Sequence, residues 1–83
     1  MSVESVLKEV NDIFRRELGN DELVIDYQTS ASDVPEWDSL THILLVVAIE
    51  KHFGIKFTSA EIESYKNVGE MCGAILRKKD KHD

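Results

Sequence analysis

Apolar residues recur along the start of the chain with the spacing of one helix face. Val3, Val6, Leu7, Val10, Ile13, Phe14 and Leu18 fall at i, i+3, i+4, i+7, i+10, i+11 and i+15, which predicts an amphipathic helix over residues 3–18. Ser2 can cap its start, and Gly19 can end it in a left-handed conformation. The pattern then lapses. Residues 19–38 gather Gly, Asn, Asp, Ser and the only proline, Pro35, with no sustained period. Leu23–Tyr27 has the composition of a short strand, but no partner strand is evident, and an isolated strand is not stable. The stretch reads as a long loop pinned by Leu23, Ile25 and Trp37. Loops of this length are uncommon in compact domains and are often functional.

Asp38 stands directly before SLTHILLVVAIEKHF, and Asp is a strong N-cap residue. A second helix is predicted over 39–53, ended by Gly54. Leu45, Ile49 and Phe53, flanked by Val46 and His42, should face the core. Leu40, Ile43, Leu44 and Val47 are apolar too and lie wholly or partly off that face. Part of this second surface should therefore be exposed, and exposed apolar patches mark contact sites. Ile55 and Phe57 alternate around Lys56 in a short extended link. Thr58-Ser59-Ala60-Glu61 fits a capping box, predicting a short helix over 59–64. Asn67-Val68-Gly69-Glu70 is another start signal. Val68, Met71, Cys72, Ile75 and Leu76 complete a helical stripe over 68–78. The pattern predicts an all-α fold: a four-helix bundle of three main helices and one short one, with a long first loop. No internal repeat appears.

Composition narrows the function classes. With 83 residues, 42% hydrophobic and 31% charged, the chain is one globular domain with one small core. That size disfavours a complete multi-substrate enzyme and suits a carrier, binding or interaction module. The net charge is −6. Residues 1–76 hold six basic and fourteen acidic residues, a net −8, and the stretch 77–83 is basic and expected to be a frayed tail. An acidic body lacks the basic face that nucleic-acid binding requires and fits partners that present basic patches. The longest apolar run, Ile43–Ile49, is far short of the roughly 20 residues that span a bilayer, so no membrane insertion is expected. The opening MSVESVLKEV has no secretory pattern, and the lone cysteine forms no intramolecular disulfide. A cytoplasmic monomer that works as a stand-alone chain is the expectation.

Trp37-Asp38-Ser39-Leu40 carries the chemical interest. A hydroxyl on the first residue of a helix is exposed on a rigid element at the positive end of the helix dipole, where a phosphate ester on Ser39 would be favoured. Asp-Ser before an apolar helix is also a common capping pair with no further role. His42 follows Ser39 by one turn, so Asp38, Ser39 and His42 have the composition of a hydrolytic triad. The capping geometry of Asp38 directs its carboxylate away from the ring, and no oxyanion hole is evident. A serine hydrolase is therefore set aside, and His42 is expected to line a groove. His42, His52 and His82 have no metal-binding spacing. Cys72 falls on the apolar stripe of the last helix and reads as a small core residue.

EWDSLTHILLVVAIEKHFGIKF, followed by an acidic short helix and NVGE, resembles the acyl carrier protein family, including its peptidyl and aminoacyl carrier relatives. The resemblance spans essentially the whole chain. It implies that Ser39 bears 4′-phosphopantetheine, attached from coenzyme A by a separate phosphopantetheinyl transferase with Mg²⁺. The protein would carry acyl, aminoacyl or ketide groups as thioesters and would itself catalyse nothing. Its partners would be that transferase, an acyl- or aminoacyl-loading ligase, and a downstream synthase or transferase. Asp38 would cap the helix and orient the site. Leu40 and Leu44 would contact partners beside the arm, and Val47 and Glu50 would extend that surface. Ile62 would help line the space where cargo folds back. Core packing remains an alternative for Leu44 and Val47, and plain solvation for Glu50. The dense acidic face usual along this helix in fatty-acid members is absent, since Glu50 is its only acid after Asp38. That departure points to a more apolar partner surface and a specialised pathway. The competing expectation is an unmodified helical module that docks partners through the apolar side of the second helix.

Overall fold

The computed structural model describes residues 2–81, without the side chains of 80 and 81. Four α-helices form: α1 (Val3–Leu18), α2 (Ser39–Phe53), α3 (Ser59–Ser64) and α4 (Val68–Lys81). A 3₁₀ turn, Ala31–Asp33, interrupts the loop between α1 and α2, and no strand forms among the described residues. The all-α bundle and its helix starts match the sequence pattern. The 3₁₀ turn was not foreseen.

Each helix follows from its caps and its stripe. Ser2 accepts the Ser5 N–H to open α1. Gly19 and Gly54 close α1 and α2 with φ of 67° and 68°, the left-handed region that costs a glycine nothing. Thr58 and Glu61 exchange bonds across the first turn of α3, at 3.1 Å and 2.8 Å. The core is one cluster. Val6, Val10, Ile13 and Phe14 of α1 meet Leu45, Val46, Ile49 and Phe53 of α2, with Val68, Met71, Cys72 and Ile75 of α4 closing the third side. Ile55 and Phe57 are buried from the α2–α3 link, and Lys56 between them is exposed. Cys72 is a core residue as expected, and burial pushes its thiol up to about 11, so it is not a thiolate at neutral pH.

Leu23–Tyr27 stays irregular because α1 side chains take its backbone groups. Asn11 accepts the Ile25 N–H at 2.8 Å and donates to the Leu23 carbonyl at 3.1 Å. Arg15 Nε donates to the same carbonyl at 2.6 Å. Ile25 and Trp37 are buried and Leu23 partly so, in the pinning roles the sequence suggested. Further along, the loop carbonyls of Thr29 and Tyr27 accept the Val68 and Gly69 N–H groups, both at 2.8 Å. Two of the orphan donors at the start of α4 thereby find partners in the loop. Asn67 Oδ1 serves a third, the Glu70 N–H, at 2.9 Å.

The stretch expected to fray from residue 77 is partly tied down. α4 runs to Lys81, beyond the predicted end at 78. Lys78 pairs with Glu61 at 3.0 Å, and Lys79 donates to the Phe53 carbonyl at 3.0 Å, closing the C-terminus of α2. The last two residues of that stretch, including His82, lie outside the described residues.

The close approach of the loop to α4 leaves no room for a side chain at residue 69. A Cβ there would lie 2.7 Å from the Tyr27 carbonyl oxygen, a backbone atom that already accepts the Gly69 N–H. Gly69→Ala is expected to cost about 1–3 kcal/mol through overpacking and loss of that bond. Urea denaturation of the two proteins checks this, and an unchanged midpoint would show the loop to be free to retreat.

Candidate functional site

The site is assembled at the N-terminus of α2. Asp38 Oδ1 accepts the N–H groups of Leu40 at 3.0 Å and Thr41 at 2.9 Å. In return the Asp38 N–H donates to Thr41 Oγ1 at 2.8 Å. The Thr41 hydroxyl donates onward to the Glu36 carbonyl at 2.8 Å, which fixes the chain entering the helix. These bonds hold the Asp38 carboxyl below the usual carboxylate range. The Thr41 N–H contributes most, against an opposing desolvation, and the Leu40 N–H adds to it. Ser39 is the first helical residue and is exposed. The field at this end is weaker for an added anion than the dipole alone suggests. The Asp38 carboxylate already occupies two of the donors, leaving the N–H of Ser39 itself.

Behind the serine, His42 connects three elements. The buried Trp37 indole N–H donates to His42 Nδ1 at 3.0 Å. His42 Nε2 lies 2.9 Å from the Ile62 carbonyl of α3. A carbonyl only accepts, so the neutral ring carries its hydrogen on Nε2 and both nitrogens are engaged. His42 therefore has no nitrogen left to activate Ser39, which removes the triad on geometric grounds. Trp37 is itself fixed by an edge-on contact with Phe14 of α1, with ring centroids 5.0 Å apart.

A groove of about 410 Å³ opens beside Ser39, between the start of α2, the 3₁₀ turn and α3. Ser39, Asp38, Trp37, His42 and Ile43 line one side, and Ile62, Glu63, Tyr65 and Lys66 the other. Ile62 and His42 both line this groove. Tyr65 was not singled out from sequence. Its ring packs edge-on against Phe57 at 5.7 Å, and its buried hydroxyl has no hydrogen-bond partner. An unpaired buried hydroxyl costs about 1–3 kcal/mol. Burial, aided by the Glu61 charge and opposed by Arg77, pushes this phenol up to about 12, so it stays protonated at neutral pH. Tyr65 lies just past the end of α3, with extended backbone, and no local signal in the sequence marks it.

The outer side of α2 is apolar and open. Leu40, Ile43, Leu44 and Val47 are between 40% and 74% exposed, so core packing does not account for them. Glu50 is half-buried, and its Oε2 accepts the Phe57 N–H at 2.9 Å. That bond anchors the α2–α3 link and gives Glu50 a structural task that its position in the sequence did not disclose. Among the described residues no His, Cys, Asp and Glu cluster could hold a metal ion, and no helix is long and apolar enough to cross a membrane.

Comparisons with known proteins agree with this geometry. Residues 8–75 match the family model described as a phosphopantetheine attachment site. The acyl carrier protein of Thermotoga maritima is 31% identical over 77 residues, covering 93% of this chain and 95% of that one. The acyl carrier protein of Clostridium acetobutylicum is 33% identical over 70 residues, covering 84% and 91%. The solution structure of a holo acyl carrier protein from Geobacter metallireducens superposes with a TM-score of 0.87 at 36% identity, over 93% of this chain and 88% of that one.

Two outcomes test the geometry. The Asp38 carboxyl titrates lower in the folded chain than its unfolded value of about 3.9. Its stabilisation is therefore complete above that value and is lost as pH falls through the folded pKa. Asp38→Asn should be less stable at neutral pH, and the gap to wild type should narrow as pH falls below about 4 in acid-unfolding curves followed by circular dichroism. His42→Ala leaves the Trp37 indole unpaired and α3 unlatched, at a cost of about 1–3 kcal/mol. Amide exchange should accelerate in residues 59–65 well beyond any change in α1, and equal acceleration in both would assign His42 to general stability alone.

Proposed function

Because the chain belongs to the acyl carrier protein family, we propose that its covalently attached 4′-phosphopantetheine is carried on the hydroxyl of Ser39. Members of the family are carriers and not enzymes, so the reactive chemistry belongs to the arm and to partner enzymes. The arm supplies a thiol that holds acyl groups as thioesters. The observation that carries the reading is an exposed serine hydroxyl on the first residue of α2, held by the Asp38 cap and opening onto a groove large enough for a small organic group. The fit is chemical as well as spatial. A phosphodiester on Ser39 stays in water, beside the serine N–H, and requires no buried charge.

Each nearby residue takes a defined part. Asp38 fixes the direction of the helix start and so of the serine. Leu40, Leu44 and Val47 present the apolar surface that partners would read. Glu50 would border that surface while anchoring the link to α3, and Ile62 would wall the groove. The partners proposed are a phosphopantetheinyl transferase, an acyl- or aminoacyl-loading ligase, and a downstream synthase or transferase. The apolar character of α2 favours a specialised pathway over bulk fatty-acid synthesis, because a partner that recognises acidic patches would find only Glu50 beyond Asp38 along this helix. The same proposal takes the chain as one domain, since a single core joins α1, α2 and α4, and as a monomer in the cytoplasm, where a free thiol such as that of Cys72 is stable.

Incubation with coenzyme A, Mg²⁺ and a broad-specificity phosphopantetheinyl transferase should add one phosphopantetheine, read by intact mass. Ser39→Ala should gain nothing while keeping its circular dichroism spectrum. Addition to Ser39→Ala, or none to wild type with several transferases, would overturn the assignment of the serine.

A further inference from the structure

We propose that the outer face of α2 docks a protein partner whose contact surface is apolar at its centre and acidic at its edge, because the charges left open around Leu44 and Val47 are cations. This rests on those two residues forming the partner surface, and it adds the sign of the charge that the partner carries.

Leu44, Val47 and Lys51 fall at i, i+3 and i+7 and share one face of α2. Two concavities flank that row and have Val47 and Lys51 as their common border. One, of about 500 Å³, lies toward α1, edged by Arg16, Glu17 and His52. The other, of about 310 Å³, lies toward the α2–α3 link, edged by Glu50 and Lys56. The carboxylates here are already engaged. Glu50 Oε2 accepts the Phe57 N–H at 2.9 Å, Glu9 meets His52 at 2.8 Å, and Glu17 pairs with Arg16 at 3.3 Å. The cations are not engaged to the same extent. Lys51 and Lys56 are exposed and join no ion pair among the described residues. Arg16 meets Glu17 through Nε, which leaves its other guanidinium donors open. Helix dipoles favour cations in the last turns of α1 and α2, and that accounts for Arg16 and Lys51. It does not account for Lys56, nor for the meeting of all three around an exposed apolar row. An apolar centre with a polar rim is the composition of a recognition surface, and a rim of open cations is complementary to carboxylates. The net charge of −6 opposes an acidic partner at a distance. At about 0.1 M salt, charges beyond about 10 Å are screened, so the rim decides.

Two synthetic helical peptides serve as probes. Both carry the same row of leucines, flanked in one by glutamates and in the other by lysines. Binding to the full-length protein is followed by amide chemical shifts at about 0.1 M salt. The glutamate peptide should bind about tenfold more tightly than the lysine peptide, the sum of a few exposed charge pairs. Its shifts should centre on residues 44–56 and on Arg16. Lys51→Glu and Lys56→Glu together should reverse the preference, and Leu44→Asp should weaken both peptides, with circular dichroism verifying each fold. Equal or tighter binding of the lysine peptide to wild type overturns the proposal. So does an unchanged preference in the double variant, a glutamate-peptide footprint away from α2, or binding by neither peptide. Should the variants not fold, wild type decides alone: the preference for the glutamate peptide shrinks as salt is raised, or the proposal is wrong. No step needs an arm on Ser39, so failure here leaves the carrier role to be judged by the mass measurement.

Discussion

Two hydrogen bonds, from the Trp37 indole to His42 and from His42 to the Ile62 carbonyl, hold the working end of this molecule together. Trp37 sits edge-on against Phe14 in the core, so the pair of bonds transmits the position of α1 through the loop to α2 and on to α3. α3 has only six residues and no buried side chain of its own. A helix of that length is not stable in isolation. It is held by its capping box, by the Lys78–Glu61 pair and by His42. The groove exists because His42 keeps α3 at a fixed distance from the start of α2, and everything placed in its wall inherits that geometry.

The charges are spent on local order more than on a broad surface field. Asp38 is absorbed in capping α2, Glu61 in capping α3 and pairing with α4, and Glu50 in holding the Phe57 N–H. With these carboxylates engaged, the outer side of α2 is left to Leu40, Ile43, Leu44 and Val47. Contact through such a surface rests on apolar burial, which ionic screening does not weaken, with charge contributing chiefly to the approach.

Most of the fold was legible along the chain because helix stripes and caps are local. Ser2, Asp38 and Thr58 each begin the helix that their position indicated, and Gly19 and Gly54 end theirs. The two-sided apolar character of α2 foretold its exposed stripe. The loop was less legible, because its order comes from residues distant in sequence: Asn11 and Arg15 bind Leu23 and Ile25, and the Gly69 N–H donates to the Tyr27 carbonyl. The basic stretch after residue 76 read as a loose end, since nothing local shows that Lys79 reaches the Phe53 carbonyl.

The sequence by itself determined the four helices, the burial of one face of each main helix and the exposure of Ser39, since caps and periodicity act within a few residues of where they occur. Only the tertiary structure decided that both nitrogens of His42 are engaged, that Glu50 is tied to the link before α3, and that the Tyr65 hydroxyl is enclosed without a partner beside the serine. Those outcomes depend on which atoms from separate helices come within about 3 Å of one another, the reach of a hydrogen bond. Spacing along a chain does not encode that proximity until the core has packed.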